Sequence, residues 1–306
     1  MKILESFIEN LYRGEPVQVG QLKVTPVFIR EGTQPLPLLE FEEALGRGLV
    51  EVTEVSEGGS VPHLFVKNSA DRDVIIVDGE LLVGAKQNRV VNTTIVVPAQ
   101  TSVEIPVTCV EQGRWSYRSR NFSSGDSHSY SSLRSLKHRT VTDSLRVSGR
   151  YDSDQDSVWG SIRDKMRRMG SPSPTMSLSD VYESSVSGRD EARLEEEVKP
   201  QAGQVGYFAY VRDGFAGGDV FGSSELCRTK LSKLVCGHYL DALDAYLQFP
   251  RLSVADVLAQ VRAASPEQFA GVGRGAELRF ESAAVQGACK VVDERIPHLA
   301  VFPKLN

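Results

Sequence analysis

The sequence predicts an α+β fold, with a β-rich, sandwich- or barrel-like N-terminal lobe followed by a mixed α+β C-terminal lobe. Three observations lead there. Short apolar, β-branched runs follow one another between Val50 and Val110, separated by turn residues, as in sandwiches and barrels. From Gln155 onward, helical periodicity and cap signals take over. A hairpin pattern and three closing strand patterns then place a sheet beside those helices.

In chain order, residues 3–12 have Ile3, Phe7, Ile8 and Leu11 on one side of a helix. Leu22–Ile29 reads as a strand, and its Pro26 suggests an edge or a bulge. A short helix is expected over 37–46, ending near Gly46 and Gly48. The strand signals are Val50–Val55, His63–Lys67, Val74–Val77, Leu81–Val83, Val90–Val97 and Ser102–Val110. Turn material lies between several of them, at Glu57–Ser60, Asn68–Asp71 and Pro98–Gln100.

Composition changes after Trp115. Residues 116–150, and 116–140 above all, are rich in Ser with Arg118, Arg120, Arg134, Lys137 and Arg139, and read as a mobile surface loop. The expected division is therefore a lobe over 1–115, a loop over 116–150 and a second lobe over 151–306. In the second lobe, Val158, Ile162, Met166 and Met169 share a face of a helix over Gln155–Met169, and the Pro/Ser stretch 170–175 breaks the chain. Helices follow at Ser179–Ser187 and Asp190–Val198. Gln204–Val211 and Gly218–Phe221 form a hairpin across Arg212-Asp-Gly214. A long helix covers about Ser224–Leu247, with Ser223 or Ser224 as its cap, and another runs from Ser253 to before Pro266. The closing strands are Ala276–Glu281, Ala283–Val292 and Arg295–Phe302.

The totals narrow the function classes. The chain has 306 residues, 41% hydrophobic and 25% charged, with a net charge of -5. That balance gives no reason to expect nucleic acid or a membrane surface as partner. No apolar run is long enough to span a bilayer, and the N-terminal helix carries Glu5 and Glu9, unlike a secretory signal. A cytoplasmic location is expected. Cys109, Cys227, Cys236 and Cys289 form no CxxC pair and the histidines are scattered, so neither a structural metal nor another cofactor is expected. The chain carries no signal of its oligomeric state.

The most distinctive stretch is Asp78–Asn92. It sets Asp78, Glu80, Lys86, Gln87, Asn88, Arg89 and Asn92 between the apolar runs Val74–Val77 and Ile95–Val97. Charges held between buried strands are costly unless paired. The patch is therefore either a closed ion-pair network or a site for a polar ligand. Lys86 and Arg89 suit phosphate, Arg in bidentate fashion, while the carboxylates suit ribose hydroxyls or a metal. A second candidate is Thr108–Trp115, where Glu111, Gln112, Arg114 and Trp115 combine polar groups with an aromatic face, or where Trp115 simply anchors the loop. Cys109 reads as a core thiol, Gly271–Gly275 as a turn, and His298 as a satisfied core or edge histidine.

Several segments together resemble the family named for its association with ADP-ribosylglycohydrolases and rhodanese-phosphatase proteins. They are Asp78-Gly-Glu80, Gly84-Ala-Lys-Gln-Asn-Arg89, Asn92 and Cys109–Trp115. Gln155 with Val158-Trp159, Leu178–Glu183, the 204–222 hairpin and Ile296–Phe302 extend the likeness over nearly the whole chain. The Gly-Ala-Lys-Gln-Asn-Arg string is its most specific part, and 116–140 has no counterpart in it. The resemblance implies a link to ADP-ribose or NAD-derived metabolites, and brings no catalytic residues with it.

The expected function is binding of a small ADP-ribose-like or other NAD-derived nucleotide. In that reading Lys86, Arg89 and Arg114 meet phosphate, Asp78 or Glu80 meets ribose, and Trp115 stacks on the base. One competing class is a hydrolase of ADP-ribosyl or N-glycosidic bonds, with Asp78 and Glu80 as acid and base. Another is a structural or interaction protein whose polar patch is an internal network.

Overall fold

The computed structural model describes residues 2–30, 34–56 and 62–305. The turn expected at Glu57–Ser60 lies outside them. The chain opens with α1 (Lys2–Glu9), β1 (Leu11–Arg13), β2 (Val17–Val19), β3 (Leu22–Ile29), β4 (Leu39–Glu40) and α2 (Phe41–Gly46). Then come β5 (Val50–Glu54), β6 (His63–Asn68), β7 (Val74–Ile76), β8 (Glu80–Gly84), β9 (Arg89–Val91), β10 (Ile95–Val97), β11 (Ser102–Cys109) and β12 (Phe122–His128). Helices α3 (Ser131–Ser148), α4 (Gln155–Met169), α5 (Leu178–Ser185) and α6 (Gly188–Glu197) follow. The chain closes with β13 (Gln204–Val211), β14 (Gly214–Phe221), α7 (Ser224–Leu243), α8 (Val254–Ala263), β15 (Glu267–Ala270), β16 (Ala276–Glu281), β17 (Val285–Val292) and β18 (Arg295–Pro303). The result is a mixed α+β, β-rich fold, as the sequence predicts.

Among the described residues a large antiparallel sheet runs β1-β3-β13-β14-β18-β17-β16-β15, with β2 also on β3. A second sheet runs β12-β8-β9-β11-β6-β5, and a small third one β10-β7-β4. Strand β13 is buried along its whole length. Its Phe208 and Tyr210 join the core shared with α1 and α8, while Tyr207, Ala209 and Val211 join the core shared with α4 to α7. A strand covered on both faces has no reason to alternate, which is why its sequence is a continuous apolar run. The β13–β14 hairpin turns at Arg212 and Asp213, both in the left-handed region at φ 49° and 65°, as a two-residue turn of matching twist requires. The inner face of the second sheet closes a separate core around Phe41, Leu64, Val91 and Ile105.

Three expectations need correction. Residues 116–150 are not a loop throughout: they include β12 and the eighteen-residue α3, which packs on α4, α7, β14, β17 and β18. The buried face of α3 holds Arg134, Lys137, His138 and Thr142 beside Leu133, Val141 and Leu145, so a search for apolar periodicity passes over it. The expected strand Val90–Val97 is two strands in different sheets, broken at Asn92-Thr93-Thr94. The sheets also do not divide at residue 115, because β1–β3 belong to the sheet built mostly from the last hundred residues. Among the described residues, no helix is long and apolar enough to cross a membrane.

Candidate functional site

The chain leaves β7 at Asp78 and passes through β8 and β9 to Asn92, and the polar side chains of this stretch enter separate surroundings. Asp78 meets Arg134 Nε at 3.3 Å and Lys137 Nζ at 3.6 Å, both from α3. Arg134 donates two further bonds to Asp219, at 2.6 and 2.9 Å. Burial pushes the Lys137 ammonium down to about 8, with Asp78 pulling it back up. Gly79 then turns at φ 89°, where an added Cβ would stand 2.5 Å from the His128 ring and 2.9 Å from Arg134. Beyond that turn Glu80 has other partners. It accepts from Lys230 Nζ at 2.8 Å and from the Ser124 hydroxyl at 2.8 Å. Lys230 also meets Glu40 at 2.5 Å and Glu42 at 2.8 Å. Asp78 and Glu80 thus meet different partners on either side of the Gly79 turn.

Asn88, Glu111 and Arg114 form a structural node. Arg114 donates to the carbonyls of Gly84, Ala85 and Ser116, to Asn88 Oδ1, and to Glu111 Oε2 at 2.7 Å. Glu111 also accepts from the Asn88 backbone and from Thr175. Burial acts to raise the Glu111 carboxyl, but these donors and the Arg114 charge hold it below the usual range. Asn92 is taken up by Thr108, which donates to it at 2.6 Å, and by the Tyr151 carbonyl, to which it donates. Gln112, half-buried, accepts from Arg163 at 3.4 Å. These residues hold segments together, with Arg114 Nε buried without a partner among the described residues.

Lys86, Gln87, Arg89 and Trp115 stay together. Lys86 Nζ lies 5.4 Å from the Trp115 ring centre and 5.1 Å from that of Tyr117, and the Arg89 guanidinium lies 5.8 Å from the Trp115 ring. Trp115 is 49% exposed and Tyr117 53%, so Trp115 is no buried anchor. Arg89 itself is fully buried. It donates to Gln87 Oε1 at 3.0 Å, while its Nε and Nη2 have no partner among the described residues. Across the sheet Arg89 pairs in register with Cys109, whose thiol burial pushes up to about 11. The Arg89 charge pulls that thiol down and the Glu54 charge pushes it further up, so both charges lie within reach of it. Both carboxylate oxygens of Glu54 are buried and likewise lack a partner among the described residues.

Glu54 and Tyr117 open onto a groove of about 590 Å³, lined also by Thr53, Ser56, Arg118, Ser119 and Arg120. That volume suits a small organic ligand. Arg118 and Arg120 add positive charge at its exposed side, Arg118 standing 3.9 Å from Glu111. Sequence reading missed Glu54, which only ends a strand pattern. It also passed over Tyr117, Arg118 and Arg120 as loop residues, although the Trp-Ser-Tyr-Arg run carries the same aromatic and cationic chemistry as Trp115 and Arg114.

The family model described as the ARG and Rhodanese-Phosphatase-superfamily-associated Protein domain matches residues 10–302. No curated protein and no solved structure matches the chain.

Proposed function

The chain belongs to the ARG and Rhodanese-Phosphatase-superfamily-associated Protein family, and on that premise we propose that it binds an ADP-ribose-like nucleotide in the groove beside Trp115 and Tyr117. The family name supplies the ADP-ribosylglycohydrolase context. The observation that carries the reading is the coexistence of Arg89 and Glu54. The Arg89 guanidinium and the carboxylate oxygens of Glu54 are buried, are not paired with each other, and have unpartnered atoms among the described residues. Such atoms are costly in an empty protein and are offset when a ligand supplies the partner. The Nε and Nη2 edge of Arg89 matches two phosphate oxygens. Glu54, which can only accept when ionised, matches ribose hydroxyls. The exposed ring of Trp115 or Tyr117 offers a face for the base.

Against the roles read from the sequence, Lys86, Arg89 and Trp115 are retained. Arg114, Asp78 and Glu80 give way to Arg118, Arg120 and Glu54, because the former are already hydrogen-bonded elsewhere. A thermal-shift series with ADP-ribose, NAD, AMP, ATP and inorganic phosphate tests the reading. A ligand at 100 times its Kd adds about 2.7 kcal/mol to the folded state. ADP-ribose is expected to raise the melting temperature and phosphate alone to raise it far less. Equal shifts with all five, or none, would sink the proposal.

A further inference from the structure

The groove carries more positive charge than one pyrophosphate needs. Lys86 and Arg89 stand at the Trp115 ring, and Arg118 and Arg120 line the groove. Among the described lining residues, Glu54 is the one acid. A pyrophosphate held by Arg89 in bidentate fashion and by Lys86 leaves Arg118 and Arg120 over. Like charges gathered on one surface repel one another until an anion comes between them.

The chain holds these two arginines in place. The Arg118 backbone N–H donates to the Ala85 carbonyl at 3.0 Å, and the Ala85 N–H donates to Ser119 Oγ at 3.0 Å. Ser119 in turn donates to the Asn121 carbonyl at 2.6 Å, and Asn121 Nδ2 donates to Glu51 of β5 at 2.9 Å. Gly84, at φ 129°, leaves room for this contact: an added Cβ would stand 2.5 Å from Ser119 Oγ. The segment is thus fastened to the β8–β9 turn on one side and to β5 on the other. The charged heads stay open. Arg118 has 60% of its side chain exposed and stands 3.9 Å from Glu111, whose oxygens already accept from Arg114, Thr175 and the Asn88 backbone. Arg120 is exposed and is in no ion pair among the described residues. A merely solvated face needs no such fastening of its backbone.

Their place along the chain says which part of a nucleotide they meet. Tyr117 and Arg118 are consecutive, with Cα atoms about 3.8 Å apart. When a base lies on the Tyr117 ring, the group nearest to Arg118 and Arg120 is the sugar that carries that base. The pyrophosphate is left to Arg89 and Lys86, and the second ribose to Glu54. We infer that the groove selects an ADP-ribose or adenine dinucleotide with a further phosphate on its adenosine ribose, which Arg118 and Arg120 read. This rests on the groove being a nucleotide site. A phosphomonoester adds about -1.5 to -2 charge at pH 7 and three acceptor oxygens. Two forked guanidiniums match it, as an Arg beside the adenosine ribose does in doubly wound dinucleotide folds.

The test is isothermal titration calorimetry of the full chain with NAD, NADP and the 3′-phosphate isomer of NADP. The three differ only in the presence and position of that phosphate. One phosphorylated form is expected to bind about tenfold to a hundredfold tighter than NAD, and its isomer more weakly than that; the preferred isomer gives the position. Arg118→Ala and Arg120→Ala change exposed side chains and keep the fold. In each, the ratio of that affinity to the NAD affinity should fall about tenfold. Unspecific attraction to a cationic surface would favour both isomers alike. The inference is overturned if NAD binds as tightly as both phosphorylated forms, if the two isomers bind alike, or if the ratio survives in both folded variants. Binding of NAD with no gain from the phosphate would leave the nucleotide reading standing. No binding of any of the three, or of ADP-ribose, would overturn that reading and this inference with it.

Discussion

Replacing Arg89 by Met separates a ligand site from a structural network by the sign of the stability change. In the unliganded protein Arg89 is fully buried, has one side-chain hydrogen bond, and has two nitrogens without a partner among the described residues. An unmet buried donor costs about 1–3 kcal/mol, so two cost about 2–6 kcal/mol. Met keeps most of the volume and removes both. The change also removes the Gln87 bond, worth about 1 kcal/mol, and the contact over Trp115, worth about 0.5–1 kcal/mol. The balance runs from about zero to a stabilisation of about 4.5 kcal/mol, in line with replacement of other poorly compensated buried charges by apolar groups. Urea unfolding of both proteins measures it, as a higher midpoint at unchanged slope. ADP-ribose should stabilise wild type and leave Arg89→Met unmoved. A loss of about 3–5 kcal/mol in Arg89→Met is what removal of one member of a closed ion-pair network would give, and it would rule out a ligand site at Arg89.

Other consequences follow from the same contacts. Trp115→Ala, at an exposed ring, should change unfolding free energy by less than about 1 kcal/mol while weakening ADP-ribose binding by about 1–3 kcal/mol in calorimetry; a destabilised variant with unchanged affinity contradicts this. Arg134→Met strands the buried carboxylates of Asp219 and Asp78 and should cost about 3–5 kcal/mol in denaturant unfolding; a neutral result would mean that these bonds are dispensable. Burial holds His128 and His138 well below 6.5 and His238 down to about 4. The unfolded chain therefore binds more protons than the native one below 6.5, and stability should fall as the pH drops from there. His238 alone accounts for about 3 kcal/mol by pH 4. Unfolding curves that superimpose at pH 7 and pH 5 would exclude neutral buried histidines.

Elements driven by apolar periodicity were legible in the sequence. The helix α4, with Val158, Ile162 and Met166 buried, lies where the spacing places it, and the 204–221 hairpin turns at its Asp-Gly signal. The helix α3 was not legible, because Arg134 and Lys137 on its buried face are satisfied by Asp78, Asp219 and the Val91 carbonyl rather than by apolar contact alone. The break of Val90–Val97 into two strands was written only in Asn92-Thr93-Thr94, whose side chains bond to Thr108, Glu277 and His298 from other elements. The polar patch was visible as a patch, but its internal division was not. Alternation says which side of a strand a residue faces; the φ of Gly79 and the partners brought by α3 and α7 decide what each one meets.

The most direct test of the ligand site is isothermal titration calorimetry of ADP-ribose into wild type, with Arg89→Met alongside. Saturable heat with one site and a Kd of roughly micromolar order, about -8 kcal/mol, is expected from wild type and lost in the folded variant. No heat from wild type up to roughly millimolar ligand, or the same isotherm from both proteins, would contradict it.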